Sequence, residues 1–293
     1  MKSGTKENIH GKRSSRAKLI WIRYKKNKLA MIGLVVLILL AGIILTAPLY
    51  IDVNRVKVQS ISLRFTPPNS EYWFGTDQFG RDLFARVIHG GRISLFAGII
   101  SVGLAFVGAM FFGSLAGFFG GKTDTIIMRA CDILMALPSL VLAMAIVAAL
   151  GQGLFKMLLA LSITMIPYLA RTVRASILTL RSQEFIEAAV SCGTKKSRII
   201  MRHIIPNIIS PIMINVMMNL GGTILRIAAL GFLGIGIAPP TPEWGTIISE
   251  NQSSLRHYPY LGIIPGLFIM VTVLSFNFIG DGLRDALDPK MKN

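Results

Sequence analysis

Acidic residues are scarce in this chain. Asp and Glu number 14 against 31 Lys and Arg, a net charge of +17. Charge of either sign is also sparse, at 15% of 293 residues, where a soluble domain carries about 25%. Most of the chain is therefore not built for water. Only two cysteines are present, Cys131 and Cys192, with no CxxC and no neighbouring His cluster. That excludes a disulfide framework and a zinc site, and leaves two small apolar residues kept reduced. The positive excess does not make a nucleic-acid binder. Such a protein clusters its basic residues on one soluble face, and here they fall in the gaps between apolar runs.

What the chain has in quantity is hydrocarbon. Hydrophobic residues make up 53%, and the mean hydropathy is +0.61. Six runs are long enough to cross ~30 Å of hydrocarbon as helices. They lie near 29–49, 94–119, 132–150, 154–170, 208–236 and 260–280. Backbone polar groups cannot stay unpaired in lipid, so each run is expected to be helical. The basic start, Lys2 to Lys28, followed by an apolar run, is not a signal peptide. The run is too long and has no small-x-small cleavage site, so it reads as an uncleaved first span.

Charge then orients the spans. Residues 1–28, a basic N-terminal segment, hold ten Lys or Arg, and residues 171–207 hold seven. With the 120–131 loop and the C-terminal tail, one side has 22. The other side has seven, in 50–93 and 237–259. Positive loops stay inside, which puts both termini and the 171–207 segment on the cytoplasmic side of the cell membrane. Trp21, Trp73 and Trp244 fall outside the apolar runs, where such rings anchor at interfaces. Gly80 to Ile88 (GRDLFARVI) has apolar residues at helical spacing and reads as a short interfacial helix on the outer surface.

Several features need weighing. GFFGGKT, Gly117 to Thr123, is not a phosphate-binding loop. Ala116 stands where the first glycine belongs, and a span precedes it instead of a strand. Gly113, Gly117 and Gly121 are spaced to share one helix face and permit close packing. Pro138, Pro167 and Pro265 lie inside spans and are candidates for kinks. Asn215, Asn219, Gly222 and Arg226 fall within about 60° of one another on the fifth span. A charge there is costly, at least ~2.5 kcal/mol near the centre. This face is a candidate lining for a solute path. The competing reading has the two Asn bonding across to other helices and Arg226 snorkelling outward. Asp281, Arg284, Asp285 and Asp288 follow the sixth span and read as solvated or locally paired.

The least lipid-like stretch is EFIEAAVSCGTKKSR, Glu184 to Arg198. Ser182 can cap a helix, with Gln183 and Glu184 in its first turn. Gly193 can end that helix in the left-handed conformation. Thr194 can cap a second helix, which Pro206 interrupts. The expectation is a helix–turn–helix elbow with a low surface at Ala188 and Ala189.

At these residues the chain resembles a family. Glu187-Ala188-Ala189, Gly193 and the segment ending at Pro206 resemble the EAA motif of permease subunits in ATP-binding-cassette importers. The close of the motif departs from the family's Ile-x-Leu-Pro, since His203-Ile204-Ile205-Pro206 stands there. GTDQFGRD (Gly75 to Asp82), FLGIGIAPPTPEWG (Phe232 to Gly245) and FNFIGDGLRDALDP (Phe276 to Pro289) are similar to the second permease of dipeptide, oligopeptide and nickel importers. The resemblance runs from about residue 20 to 290.

It implies an all-α integral membrane protein of the type I importer permease fold, with six transmembrane helices and a cytoplasmic coupling loop at 171–207. Glu187, Ala188, Ala189, Gly193 and Pro206 would couple to a cytoplasmic ATPase. The implied partners are a second homologous permease subunit, two ATPase subunits and an extracellular solute-binding protein, within membrane lipid. ATP and Mg would sit on the ATPases, this chain binding no cofactor and catalysing nothing itself. The solute would be small peptides or nickel. Many peptide permeases of the family carry a Glu just before the FLG segment. Arg226 departs from that pattern and leans toward the nickel branch. The alternative is a secondary transporter driven by an ion gradient. It needs paired intramembrane carboxylates or inverted repeats; acidic residues reach the spans only at their ends, at Asp132 and Asp281, and no repeat is visible. A membrane subunit that carries nothing is the third reading.

Overall fold

The computed structural model describes residues 16–287. Residues 1–15 of the basic N-terminal segment, together with Asp288 and Pro289, lie outside the described residues. Among those described there is no strand. The helices are α1 (Arg16–Tyr24), α2 (Lys28–Thr46), α3 (Val53–Lys57), α4 (Leu83–Phe119), α5 (Gly121–Met135), α6 (Ser139–Leu150), α7 (Leu154–Arg181), α8 (Glu184–Ser191), α9 (Lys196–Ile199), α10 (Ile205–Phe232), α11 (Trp244–Glu250) and α12 (Tyr260–Leu287). Five stretches are long and apolar enough to cross a membrane: Lys28–Leu49, α4, α7, Lys196–Phe232 and α12. α5 and α6 make a sixth only as a pair bent by 91°.

Small residues set the packing. α4 and α7 lie against each other where α4 has glycine. A Cβ on Gly113 would meet the Ala170 carbonyl at 2.6 Å, and one on Gly117 would meet Ile177 Cβ at 2.9 Å. Gly121 does not share this face, because α4 ends at Phe119 and Gly121 opens α5. α10 packs on α12 in the same way, with Gly280 against Met218. Gly282 carries α12 onto Ala30 and Tyr24 of the first two helices. Asn27 caps α2 through Ala30 N–H and donates to Asp285 at 2.9 Å. Leu29, Ile32, Leu39 and Leu45 remain exposed along α2, as expected of a surface that meets lipid.

Several expectations need correction. The segment Gly80 to Ile88 is not a separate interfacial helix. From Leu83 it is the first part of α4, which at 37 residues is about 55 Å long. Arg81 and Arg86 are almost wholly buried instead of lying on a wet face. Trp244 is no interfacial anchor either. It is fully buried, donates from Nε1 to the Val87 carbonyl at 2.9 Å, and faces Phe268. Trp21 and Trp73 are exposed. The run 132–150 is not one straight helix. Pro138 cannot continue α5, so the chain turns there before α6 starts. α6 alone, 12 residues, is only about 18 Å long. Pro167 and Pro265, in contrast, stay inside unbroken helices.

α5 is held by charge. Arg174 of α7 makes a two-point contact with Asp124, and Arg171 pairs with Asp132. Two of the basic residues of 171–207 are thus helix-to-helix ties.

Candidate functional site: an elbow, a polar helix face and their frame

The elbow begins where α7 stops. Ser182 does not cap α8. Its hydroxyl turns back to the Thr179 carbonyl, and Gln183 occupies the cap position without a side-chain bond. The other end of α8 is well defined. Gly193 sits at φ +70°, its N–H bonds the Val190 carbonyl at 2.9 Å, and Thr194 N–H bonds Ala189 at 3.1 Å. That pair of bonds is a Schellman ending, which requires the left-handed residue that glycine supplies. No atom lies within 4 Å of a Cβ placed on Gly193. Its glycine therefore answers to backbone conformation and not to crowding.

Ile186 and Ile199 form the buried underside of the elbow. Glu187, Ala188 and Gly193 are exposed, and Ala189 is half-buried. Phe185 and Val190 add exposed apolar surface beside them. Lys196 lies over the Phe119 ring at 5.5 Å, which sets the elbow against the end of α4.

Thr194 does not cap the second arm, since Lys195 holds that position. Pro206 does not interrupt it. α9 widens into a π-helical turn, Ile200–Ile204, and runs straight into α10. Pro206 lacks an N–H and its ring would crowd a carbonyl four residues back. The wider turn takes up that mismatch, with the exposed Pro206 in the first turn of α10. The second arm of the elbow and the fifth span are thus one continuous helical stretch, Lys196–Phe232.

Along that stretch Asn215, Asn219, Gly222 and Arg226 are all half-buried. The two Asn do not bridge broadly to other helices. Asn215 donates to Pro211 at 3.1 Å and Asn219 to Asn215 at 2.7 Å, both along α10. The exception is Tyr168 of α7, whose hydroxyl approaches Asn215 Oδ1 at 3.4 Å. A Cβ on Gly222 would stand 3.3 Å from Arg226 Nη2, so the guanidinium lies back over Gly222. Among the described residues Arg226 has no ion-pair partner. The elbow residues and the polar face do not meet; α10 joins them end to end.

At the end of α10 away from the elbow, charged residues not singled out from the sequence tie the loops together. Arg81 Nε donates to Asp77 at 2.6 Å, and its two Nη atoms reach Glu250 at 3.2 and 3.1 Å. Arg86 donates to the same Glu250 carboxylate. Asp77 also accepts the N–H groups of Phe79 and Arg81. Two cations and two anions therefore cancel in a buried cluster joining GTDQFGRD to α11. Glu243 is buried nearby. It caps α11 by accepting from Thr246 N–H at 3.0 Å, and its other oxygen accepts from Ser94 at 3.0 Å. Burial pushes the Glu243 carboxyl above the usual range, against the pull of the Gly245 and Thr246 N–H groups and the Ser94 hydroxyl. Gly231 and Gly245 make room. A Cβ on Gly231 would be 2.2 Å from Glu243 Oε2, and one on Gly245 would be 1.9 Å from the Ala228 carbonyl. The sequence signal for this frame was the scarcity of acids: Asp77, Glu243 and Glu250 are three of only 14.

Comparison with known proteins identifies the family. Residues 109–293 match the family described as "binding-protein-dependent transport system inner membrane component". The chain belongs to that family. Residues 15–68 match the N-terminal transmembrane domain of oligopeptide transport permease C. The dipeptide transport system permease protein DppC of Alkalihalophilus pseudofirmus is 45% identical over 92% of this chain and 88% of its own length. The oligopeptide permease protein OppC of Bacillus subtilis is 38% identical, over 99% and 95%. The glutathione permease protein GsiD of Escherichia coli is 40% identical, over 93% and 90%. Among solved structures, an inward-facing form of the MetNI methionine ABC transporter matches with a TM-score of 0.55. It is 17% identical over 69% of this chain and 97% of that one, and speaks to the fold alone. The protein is accordingly a multi-pass, all-helical transport permease subunit.

Proposed function

We propose that this permease subunit imports small peptides in an ATP-driven assembly. Its partners would be a second permease subunit, two cytoplasmic ATPases and an extracellular binding protein. The observation that carries the reading is the unbroken stretch from the elbow's second arm into α10, Lys196–Phe232. A push on Glu187, Ala188 and Ala189 passes through the Gly193 turn into that arm and then, past Pro206, to Asn215, Asn219, Gly222 and Arg226. ATP and Mg act on the ATPases. This chain's residues receive the motion and offer a polar face to the solute.

Several points support the details. The excess of Lys and Arg on the elbow side favours cytoplasmic termini and a cytoplasmic elbow. The exposed Phe185, Val190 and Ala188 suit a groove on a soluble partner, with Glu187 fixing register. The relatives named above turn the substrate from nickel toward peptides. Arg226 then offers a counter-charge for a peptide carboxylate.

The test is uptake of a labelled dipeptide into proteoliposomes holding the whole assembly. ATP-dependent uptake that needs the binding protein supports the proposal. Uptake by this chain alone under a proton or sodium gradient contradicts it.

A further inference from the structure

At the end of the bundle away from the elbow, a cavity of about 570 Å³ opens between the ends of α2 and α7 and the first turns of α4. Its lining mixes two kinds of side chain. Lys57, His89 and Arg92 are basic, and Leu45, Phe96 and Leu154 are apolar. Lys57 and Arg92 are exposed. His89 is buried, and its Nε2 has no hydrogen-bond partner. Leu45 and Phe96 are more than half exposed, so that part of the lining opens onto the helix surface.

No carboxylate lines the cavity. Three buried acids of the adjoining loops are already engaged. Glu243, beside the lining Pro242, is turned inward onto Ser94 and Thr246. Asp77 and Glu250 are held by Arg81 and Arg86. Among the described residues neither Lys57 nor Arg92 is in an ion pair. The volume fits a small-molecule site. Basic and apolar side chains lining one cavity, close to where the apolar run of α4 begins, match an amphiphile better than a soluble anion.

We propose that this cavity binds an anionic phospholipid. Its phosphate sits among Lys57, Arg92 and His89, and an acyl chain runs along Leu45, Phe96 and Leu154. Basic pockets between spans hold lipid head groups by this chemistry. Which leaflet supplies the lipid rests on the orientation proposed above. The site itself does not, and lipid retention is read without any transport.

The whole assembly, purified in mild detergent, is exposed to phosphatidylglycerol or phosphatidylcholine and weighed by native mass spectrometry. Phosphatidylglycerol is expected to stay bound and phosphatidylcholine to leave. Lys57→Gln with Arg92→Gln should cut retention about tenfold or more. Equal retention in the variant overturns the proposal. So does displacement by millimolar inorganic phosphate, which would mark a free-anion site. A second measurement keeps both cations. A photoreactive phenylalanine at Phe96 should capture phospholipid; capture of the second permease subunit means that protein covers the cavity and refutes the assignment.

Discussion

Glu250→Gln is the sharpest perturbation of the frame. Glu250 accepts from both Nη atoms of Arg81 and from Arg86, and both arginines are almost wholly buried. The substitution keeps the shape and removes one negative charge. Asp77 then faces two guanidinium groups alone. Breaking a buried pair by removing one partner costs about 3–5 kcal/mol. At a few degrees per kcal/mol for a chain of this size, the apparent melting temperature should fall by roughly 10 °C. The assay is thermal unfolding in detergent, with Glu71→Gln, an exposed acid, as the control. The double variant Glu250→Gln with Arg86→Gln leaves Arg81 and Asp77 as a neutral pair. It should lose less than the sum of the single losses. A fall no larger than the control's would refute the reasoning, because it would mean that water already screens the cluster.

Other outcomes follow from the same geometry. Gly245→Ala drives a Cβ to 1.9 Å from the Ala228 carbonyl, so little folded protein should be recovered on size exclusion. Glu243 titrates above the usual range, so the folded chain holds its proton more tightly than the unfolded one. That stability contribution is full below the ordinary glutamate pKa and is lost as pH rises through the raised value. Glu243→Gln should flatten this decline in apparent melting temperature against pH. Arg226→Leu should leave assembly intact and weaken dipeptide uptake about tenfold, the loss of one partly screened counter-charge, about 1.4 kcal/mol; unchanged uptake removes Arg226 from the path.

Much of this fold was legible because membrane helices announce themselves as apolar runs. α2, α7, α10 and α12 begin close to where their runs begin. The elbow was legible too, because Gly193 marks a local backbone need that no distant residue changes. The errors came from long-range compensation. Gly80 to Ile88 read as a surface helix because Glu250, the partner of its Arg81 and Arg86, lies more than 160 residues away. Once paired, they let α4 start at Leu83, well before its apolar run. Trp244 was misplaced for a related reason: a polar loop sequence conceals burial against Val87 and Phe268. Pro206 misled in another way. A proline argues for a break, but a π-helical turn absorbed it and kept the helical stretch whole. Pro138 did end its helix: α5 stops at Met135 and α6 starts at Ser139.

The central claim is that the elbow transmits ATP-driven motion to the solute path. The direct measurement compares wild type with Gly193→Val in the reconstituted assembly. A β-branched residue cannot readily hold φ +70°, so the Schellman ending should be lost while Ile186 and Ile199 keep the elbow seated. The account predicts that the subunits still co-purify and ATP is still hydrolysed, with dipeptide uptake per ATP falling at least ~tenfold, a coupling loss of about 1.4 kcal/mol. Wild-type uptake per ATP in an intact Gly193→Val assembly would contradict it.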